Sequence, residues 1–190
     1  MDDFSYLSVV TSIVLGLGVT QLLAGVARLV QARRRVRLYT PTLLWTALLF
    51  LLHIQLWWSA AILRDVESWT FLGFFVTLLL PTLAYLLSVL VLPDFDREGT
   101  IDLREVYYEN ARWFFGGLAT LVALSFVREL VLEGSIDRDA DTVFKIVFMA
   151  TSVAAAATTR RVFHESWAPV AFLAIVAYIG ALFPSLATID

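Results

Sequence analysis

The chain has 190 residues, of which 59% are hydrophobic and only 16% are charged, and its mean hydropathy is +0.79. A soluble domain of this length could not bury so much apolar surface in one core, so lipid is the expected solvent. The net charge of −3 and the lack of cysteine argue against nucleic-acid binding, disulfide bonds and thiolate chemistry.

Six apolar stretches are each long enough, at about 1.5 Å per residue, to cross about 30 Å of hydrocarbon as helices. Their continuity, without the alternation of a barrel wall, favours helices over strands. The predicted helices cover residues 4–30, 41–63, 69–92, 112–132, 142–159 and 167–187. The sequence therefore predicts one all-α integral membrane domain, residues 1–190, with six transmembrane helices.

The first predicted helix carries a small or weakly polar residue at every fourth position. These residues are Ser8, Ser12, Gly16, Thr20 and Ala24. Small side chains let two helices approach closely, so the stripe predicts a helix-packing seam, either within the chain or between copies of a homo-oligomer. Gln21 lies on a neighbouring stripe and is expected to hydrogen-bond across a seam.

The second predicted helix carries polar groups near its midpoint. His53 lies about 18 Å along the helix from Pro41 and shares a face with Thr46 and Trp57. Gln55 points about 200° away from His53. Because an unsatisfied polar group in hydrocarbon costs several kcal/mol, a helix with polar groups on opposite sides should be surrounded by protein. The second helix is therefore predicted to be central.

An ionisable residue at this depth is a functional candidate. His53 could relay protons, ligate haem or hydrogen-bond a quinone or solute; it could equally be a neutral histidine satisfied by one neighbour. His164 is expected in a cytoplasmic turn, which disfavours a bis-histidine haem within one chain but leaves open a pair of His53 residues across a dimer. The candidate polar pathway or ligand site comprises His53, Gln55, Gln21, Trp57, Thr46 and Arg128.

Charged residues in and near the second half have simpler interpretations. Arg128 lies about one and a half turns inside the outer end of the fourth helix, where its side chain can reach the interface. Lys145, the only lysine, lies in the first turn of the fifth helix near Asp139 and Asp141.

The segment 93–112 is predicted to form, from about residue 101, a cytoplasmic helical extension of the fourth helix. It is either a solvated extension or a docking surface for a cytoplasmic or membrane protein partner.

Lys and Arg are distributed unequally between the two ends of the predicted helices. The turns after the first, third and fifth helices carry ten of them, and the other side carries Arg64, Arg128, Arg138 and Lys145. Because cytoplasmic loops are enriched in Lys and Arg, both termini are predicted to lie outside.

The two halves of the chain share short patterns that could reflect a duplication. Glu67-Ser68-Trp69 and Glu165-Ser166-Trp167 precede the third and sixth helices, so Ser68 and Ser166 are candidate N-caps. An odd number of helices in each half would give the second half inverted topology, as in many transporters. Coincidence among so few residue types is the alternative.

The sequence shows no nucleophile triad, phosphate loop, paired catalytic carboxylates or metal-ligand cluster at membrane depth. It therefore predicts no enzyme activity, no catalytic residues, no bound metal and no cofactor.

The first two predicted helices carry ILGLGVTQLLAGVARLVQARRRVR, residues 13–37, and TLLWTALLFLLHIQLWW, residues 42–58. In these residues the chain resembles a set of uncharacterised small bacterial multi-pass membrane proteins. The resemblance implies the bacterial inner membrane, and it supplies no activity.

Three classes of function follow from these observations. The leading hypothesis is a small, oligomeric channel or transporter for an ion or small solute, based on the midplane His53, the seam and the duplication. The second is a non-transporting anchor, sensor or assembly subunit that acts through residues 93–112. The third is a redox subunit that holds haem or quinone at His53.

Overall fold

The computed structural model describes residues 3–60, 63, 66, 69–95 and 99–182, with side chains from Tyr6 to Ala181. Within these residues it contains six helices that are long and apolar enough to cross a membrane. They are α1 (Asp3–Gln31), α2 (Thr40–Ser59), α3 (Phe71–Val91), α4 (Leu103–Glu133), α5 (Ala140–Ala157) and α6 (Arg161–Leu182). The predicted fold class, an all-α membrane protein with six transmembrane helices, is confirmed.

Local residues explain where several helices begin and end. The Thr70 hydroxyl accepts a hydrogen bond from the Gly73 N–H at 3.1 Å and caps α3. Gly134 ends α4 as predicted, at a φ of 73° that favours glycine. The prediction for Ser166 is wrong: α6 begins at Arg161, so Ser166 lies inside the helix rather than at its cap. Ser68 lies outside the described residues.

The segment before α4 is joined to the α1–α2 connection by two short strands. β1 (Val36–Arg37) pairs in parallel with β2 (Ile101–Asp102), and α4 begins at the next residue, Leu103. The Asp102 carboxylate accepts a hydrogen bond from the Arg104 N–H at 2.9 Å. These strands and the α5–α6 connection lie at the same end of the molecule, which we call the arginine-rich end.

Helix α2 lies at the centre of the described helices. It packs against α1, α3 and α6, and also touches α4, so the predicted central position is confirmed. The helices of the two halves pack differently: α1 lies along α3, whereas α4 lies along α5 and makes few close backbone contacts with α6. An inverted repeat would make the α1–α3 and α4–α6 pairs equivalent, so the packing of the described helices does not show one.

The core is densely aromatic in the half near the arginine-rich end. Trp45 of α2 is 1% exposed and packs edge-on against Phe115 of α4, with ring centroids 5.1 Å apart. Phe114 and Tyr107 of α4 continue this cluster. These rings, with His164 of α6, pack between α2, α4 and α6 in that half of the molecule.

Candidate functional site

A half-buried polar cluster joins α4, α5 and α6 at the end opposite the arginine-rich end. The Lys145 ammonium of α5 forms ion pairs with Glu129 of α4 and with Asp141, whose carboxylate lies 2.5 Å away. The Tyr178 hydroxyl of α6 donates a hydrogen bond of 2.5 Å to the other Asp141 oxygen. The cluster therefore holds three helices together through charge-assisted bonds, which are stronger than neutral ones.

Helical spacing and a cap place these groups. Asp141 and Lys145 are four residues apart on α5, a spacing that brings side chains together on one helix face. The Asp139 carboxylate caps α5 by accepting a hydrogen bond from the Thr142 N–H at 2.9 Å. That N–H bond is the main cause of the lowered pKa of Asp139, because it favours the ionised carboxylate.

The cluster forms part of the wall of a cavity of about 280 Å³ between α2, α4, α5 and α6, to which α3 contributes Leu80. Its inner part, which we call the throat, is apolar and is lined by Leu48, Leu52, Leu80, Leu118, Phe148 and Ile175. Leu48 lies eleven residues before the end of α2 at Ser59, so the throat reaches about 16 Å along the helix, close to its midpoint. The buried aromatic core around Trp45 and Phe115 lies beyond the throat, toward the arginine-rich end, and does not line the cavity.

The mouth of the cavity carries a net negative charge. Five carboxylates and two basic groups line it, leaving three net negative charges: Glu129, Glu133, Asp137, Asp139 and Asp141, with Arg128 and Lys145. Lys145 is neutralised by its two partners, whereas Arg128 forms no ion pair with any described residue. A concave surface of one sign between apolar walls focuses its field and attracts counter-ions.

The structure brings only two of the predicted polar residues to this cavity. Gln55 of α2 and Arg128 of α4 line it. Thr46 instead donates its hydroxyl hydrogen bond to the Thr42 carbonyl within α2, at 2.8 Å. Trp57 is 57% exposed on the outer surface of α2, and Gln21 is half-buried on α1.

His53 is buried in the interface between α1 and α2 and does not line the cavity. It is 1% exposed, and its Nδ1 donates a hydrogen bond of 2.7 Å to the Leu49 carbonyl. The neutral ring then has a bare Nε2, which has no hydrogen-bond partner among the described residues and lies against Gly18. A Cβ atom at Gly18 would lie 2.1 Å from Nε2, so no space remains there for haem, quinone or solute.

The expected position of His164 in a cytoplasmic turn is wrong. His164 lies in the first turn of α6 and is fully buried. Its Nε2 donates to the Thr158 carbonyl and its Nδ1 accepts from the Tyr107 hydroxyl, both at 2.9 Å. Both ring nitrogens are therefore occupied, and the residue ties α6 to α4 at the arginine-rich end.

The predicted small-residue seam does not follow the face of α1 that packs against the rest of the chain. Gly16 and Thr20 are exposed, and a Cβ atom at Gly16 would meet no atom within 4 Å. Ser8, Ser12 and Ala24 are only partly buried. The closest approaches on α1 are instead at Gly18, against His53, and at Gly25, where a Cβ atom would lie 2.8 Å from Leu92.

Sequence reasoning missed Glu129, Glu133 and Tyr178 as parts of one site. The available signal was Arg128-Glu129, two adjacent charges inside an apolar helix, together with Lys145 at the start of the next helix. Their meeting depends on the close packing of α4 against α5, which no local pattern specifies. No group of three or more metal-ligand side chains occurs among the described residues.

The chain matches no protein-family model, no curated protein and no solved structure. This result is consistent with the resemblance to uncharacterised small membrane proteins that the first two helices indicate.

Proposed function

We propose that this multi-pass membrane protein is a carrier for a small solute with an apolar body and a positive charge. The observation that supports the proposal is the cavity lined by α2, α3, α4, α5 and α6, with its apolar throat and negative mouth. The positive-inside rule would place the arginine-rich end in the cytoplasm, so the solute would bind from the external side.

The shape of the cavity favours a carrier over an open channel. A channel needs a continuous path, whereas the throat ends at the buried aromatic core around Trp45 and Phe115. A site that opens to one side near midplane is what alternating access requires of one of its two states. The volume of about 280 Å³ suits a solute with a single ring or a short apolar chain.

The charges of the cavity favour a cation. Three net negative charges at the mouth raise the local concentration of cations and lower that of anions. Glu133 and Asp137 form none of the ion pairs seen among the described residues, so their carboxylates are available to a ligand. A bound cation would also compete with Lys145 for Glu129, which would couple solute binding to the contact between α4 and α5.

The proposal is tested by uptake into liposomes with a matched pair of ring compounds of opposite charge. Phenyltrimethylammonium carries a permanent positive charge, and benzenesulfonate is an anion of similar size. We expect liposomes with the protein to take up the cation faster than protein-free liposomes, and the anion at the protein-free rate. The variant Leu52→Trp, which fills the throat, should abolish uptake.

The matched control is Leu130→Trp, at a residue of α4 that is 54% exposed on the outer surface. It should transport as the wild type does. Equal cation uptake with and without protein would contradict the proposal. Binding without uptake would favour the second class of function, a non-transporting sensor or assembly subunit.

A further inference from the structure

A second concave surface lies on the outer side of α3, α4 and α5, in the half near the arginine-rich end. This groove has a volume of about 890 Å³ and is separate from the cavity. Leucines of α3, including Leu83, Leu86 and Leu90, form one wall, and Val153, Ala156 and Ala157 of α5 form the other. Its floor is α4.

Two glycines of α4 shape the floor of the groove in different ways. At Gly117 a Cβ atom would lie 2.7 Å from a methyl group of Leu87, so this glycine lets α3 and α4 approach closely. At Gly116 a Cβ atom would meet no atom within 4 Å, so the space above it is open. An apolar chain can therefore lie along α4 between the two walls.

An arginine side chain and a tryptophan side chain lie at the arginine-rich end of the groove. Arg112 and Trp113 both line it, and Trp113 is 73% exposed. Arg112 is exposed and forms no ion pair with a described residue, including Glu109 one turn earlier on α4. Tryptophan and arginine are enriched at the depth of the lipid head groups, where a phosphate would meet the guanidinium.

We propose that this groove binds an anionic phospholipid, with one acyl chain over Gly116 and the phosphate on Arg112. The positive charge at head-group level selects the anionic lipid, since Arg offers planar paired donors to phosphate. The leaflet is the one at the arginine-rich end. This lipid site is independent of the solute cavity, which lies on the other side of α4.

The test is native mass spectrometry of the detergent-purified protein with equal amounts of phosphatidylglycerol and phosphatidylcholine of the same chain length. We expect about fivefold more bound phosphatidylglycerol, as one favourable basic contact at the membrane surface implies. Arg112→Gln should make binding of the two lipids equal. Gly116→Leu, which fills the groove without a backbone clash, should lower the binding of both.

The matched control is Arg104→Gln, an exposed arginine at the same end that does not line the groove. It should keep the wild-type preference, and all variants should keep the wild-type elution volume and helical circular dichroism. Equal binding of both lipids by the wild type would overturn the proposal. The proposal would also be overturned if Arg104→Gln and Arg112→Gln lost the preference for phosphatidylglycerol equally. It would likewise be overturned if the protein formed a dimer without bound lipid and Gly116→Leu disrupted that dimer, because the groove would then be an interface between copies of the chain.

Discussion

The His53 imidazole occupies the space in which any side chain at Gly18 would lie, because a Cβ atom there would be 2.1 Å from Nε2. Gly18 on α1 and His53 on α2 are therefore a matched pair that fixes the approach of the two helices. The histidine at membrane depth is explained by packing and by its bond to the Leu49 carbonyl, and it does not line the cavity.

Gly18→Ala is expected to destabilise the protein by about 1–3 kcal/mol, because the new methyl group overpacks the interface with α2. His53→Ala in the same chain should recover part of this loss by removing the ring that clashes. The measurement is thermal unfolding in detergent, followed by circular dichroism. Gly16→Ala is the control and should be neutral or stabilising, since its methyl group meets no atom within 4 Å. Equal destabilisation by the two Gly→Ala variants would contradict the pairing.

Lys145→Met is expected to cost about 3 kcal/mol of folding stability, because it leaves Glu129 and Asp141 as uncompensated carboxylates on the cavity wall. Adding Glu129→Gln should restore part of that stability by removing one of the two charges. Denaturant unfolding of the single and double variants measures both effects. Arg138→Met, at an exposed position without a described ion pair, should stay close to wild type. A double variant less stable than Lys145→Met would rule out this arrangement.

The first turn of α5 should lose hydrogen-exchange protection in acid. The folded-state pKa of Asp139 is lowered, so its cap contributes stability fully above the usual aspartate pKa of about 4 and loses it as pH falls through the lower folded pKa. Asp139→Asn keeps a capping oxygen that does not titrate, so its protection should not change over this range. The same acid-dependent loss in both proteins would show that Asp139 is not the cause.

Tyr107→Phe is expected to destabilise the protein by about 1–2 kcal/mol, because it leaves the buried His164 Nδ1 without its donor. Tyr85→Phe is the comparison, since the Tyr85 hydroxyl forms none of the hydrogen bonds described. Thermal unfolding of both variants checks the difference. If the two variants have the same stability, the bond between α4 and α6 contributes nothing.

The sequence predicts the helices well because lipid imposes a length and an apolar composition on each of them. The central place of α2 follows from polar groups on its opposite sides. The sequence does not predict the start of α6 at Arg161, because an apolar run marks only where a helix enters hydrocarbon. This helix begins before its apolar run, in a polar turn where Arg161 and Glu165, four residues apart, form an ion pair.

The stripe on α1 shows why a small-residue pattern did not identify the packed face. On a helix of 3.6 residues per turn, residues spaced four apart are rotated by about 40° from one to the next around the helix axis. A stripe of five such residues therefore winds around the helix and does not stay on one face. The packed face instead alternates steps of three and four: Leu15, Gly18, Leu22, Gly25 and Leu29. The cavity could not be predicted because its wall combines residues of five helices that are distant in sequence.

Equilibrium binding of phenyltrimethylammonium and benzenesulfonate to the purified protein measures the charge preference of the cavity. We expect saturable binding of the cation, weak or no binding of the anion, and several-fold weaker cation binding in the variant Glu133→Gln/Asp137→Asn. Equal binding of the two compounds, or cation binding unchanged in that variant, would contradict the claim that this cavity is a site for cationic solutes.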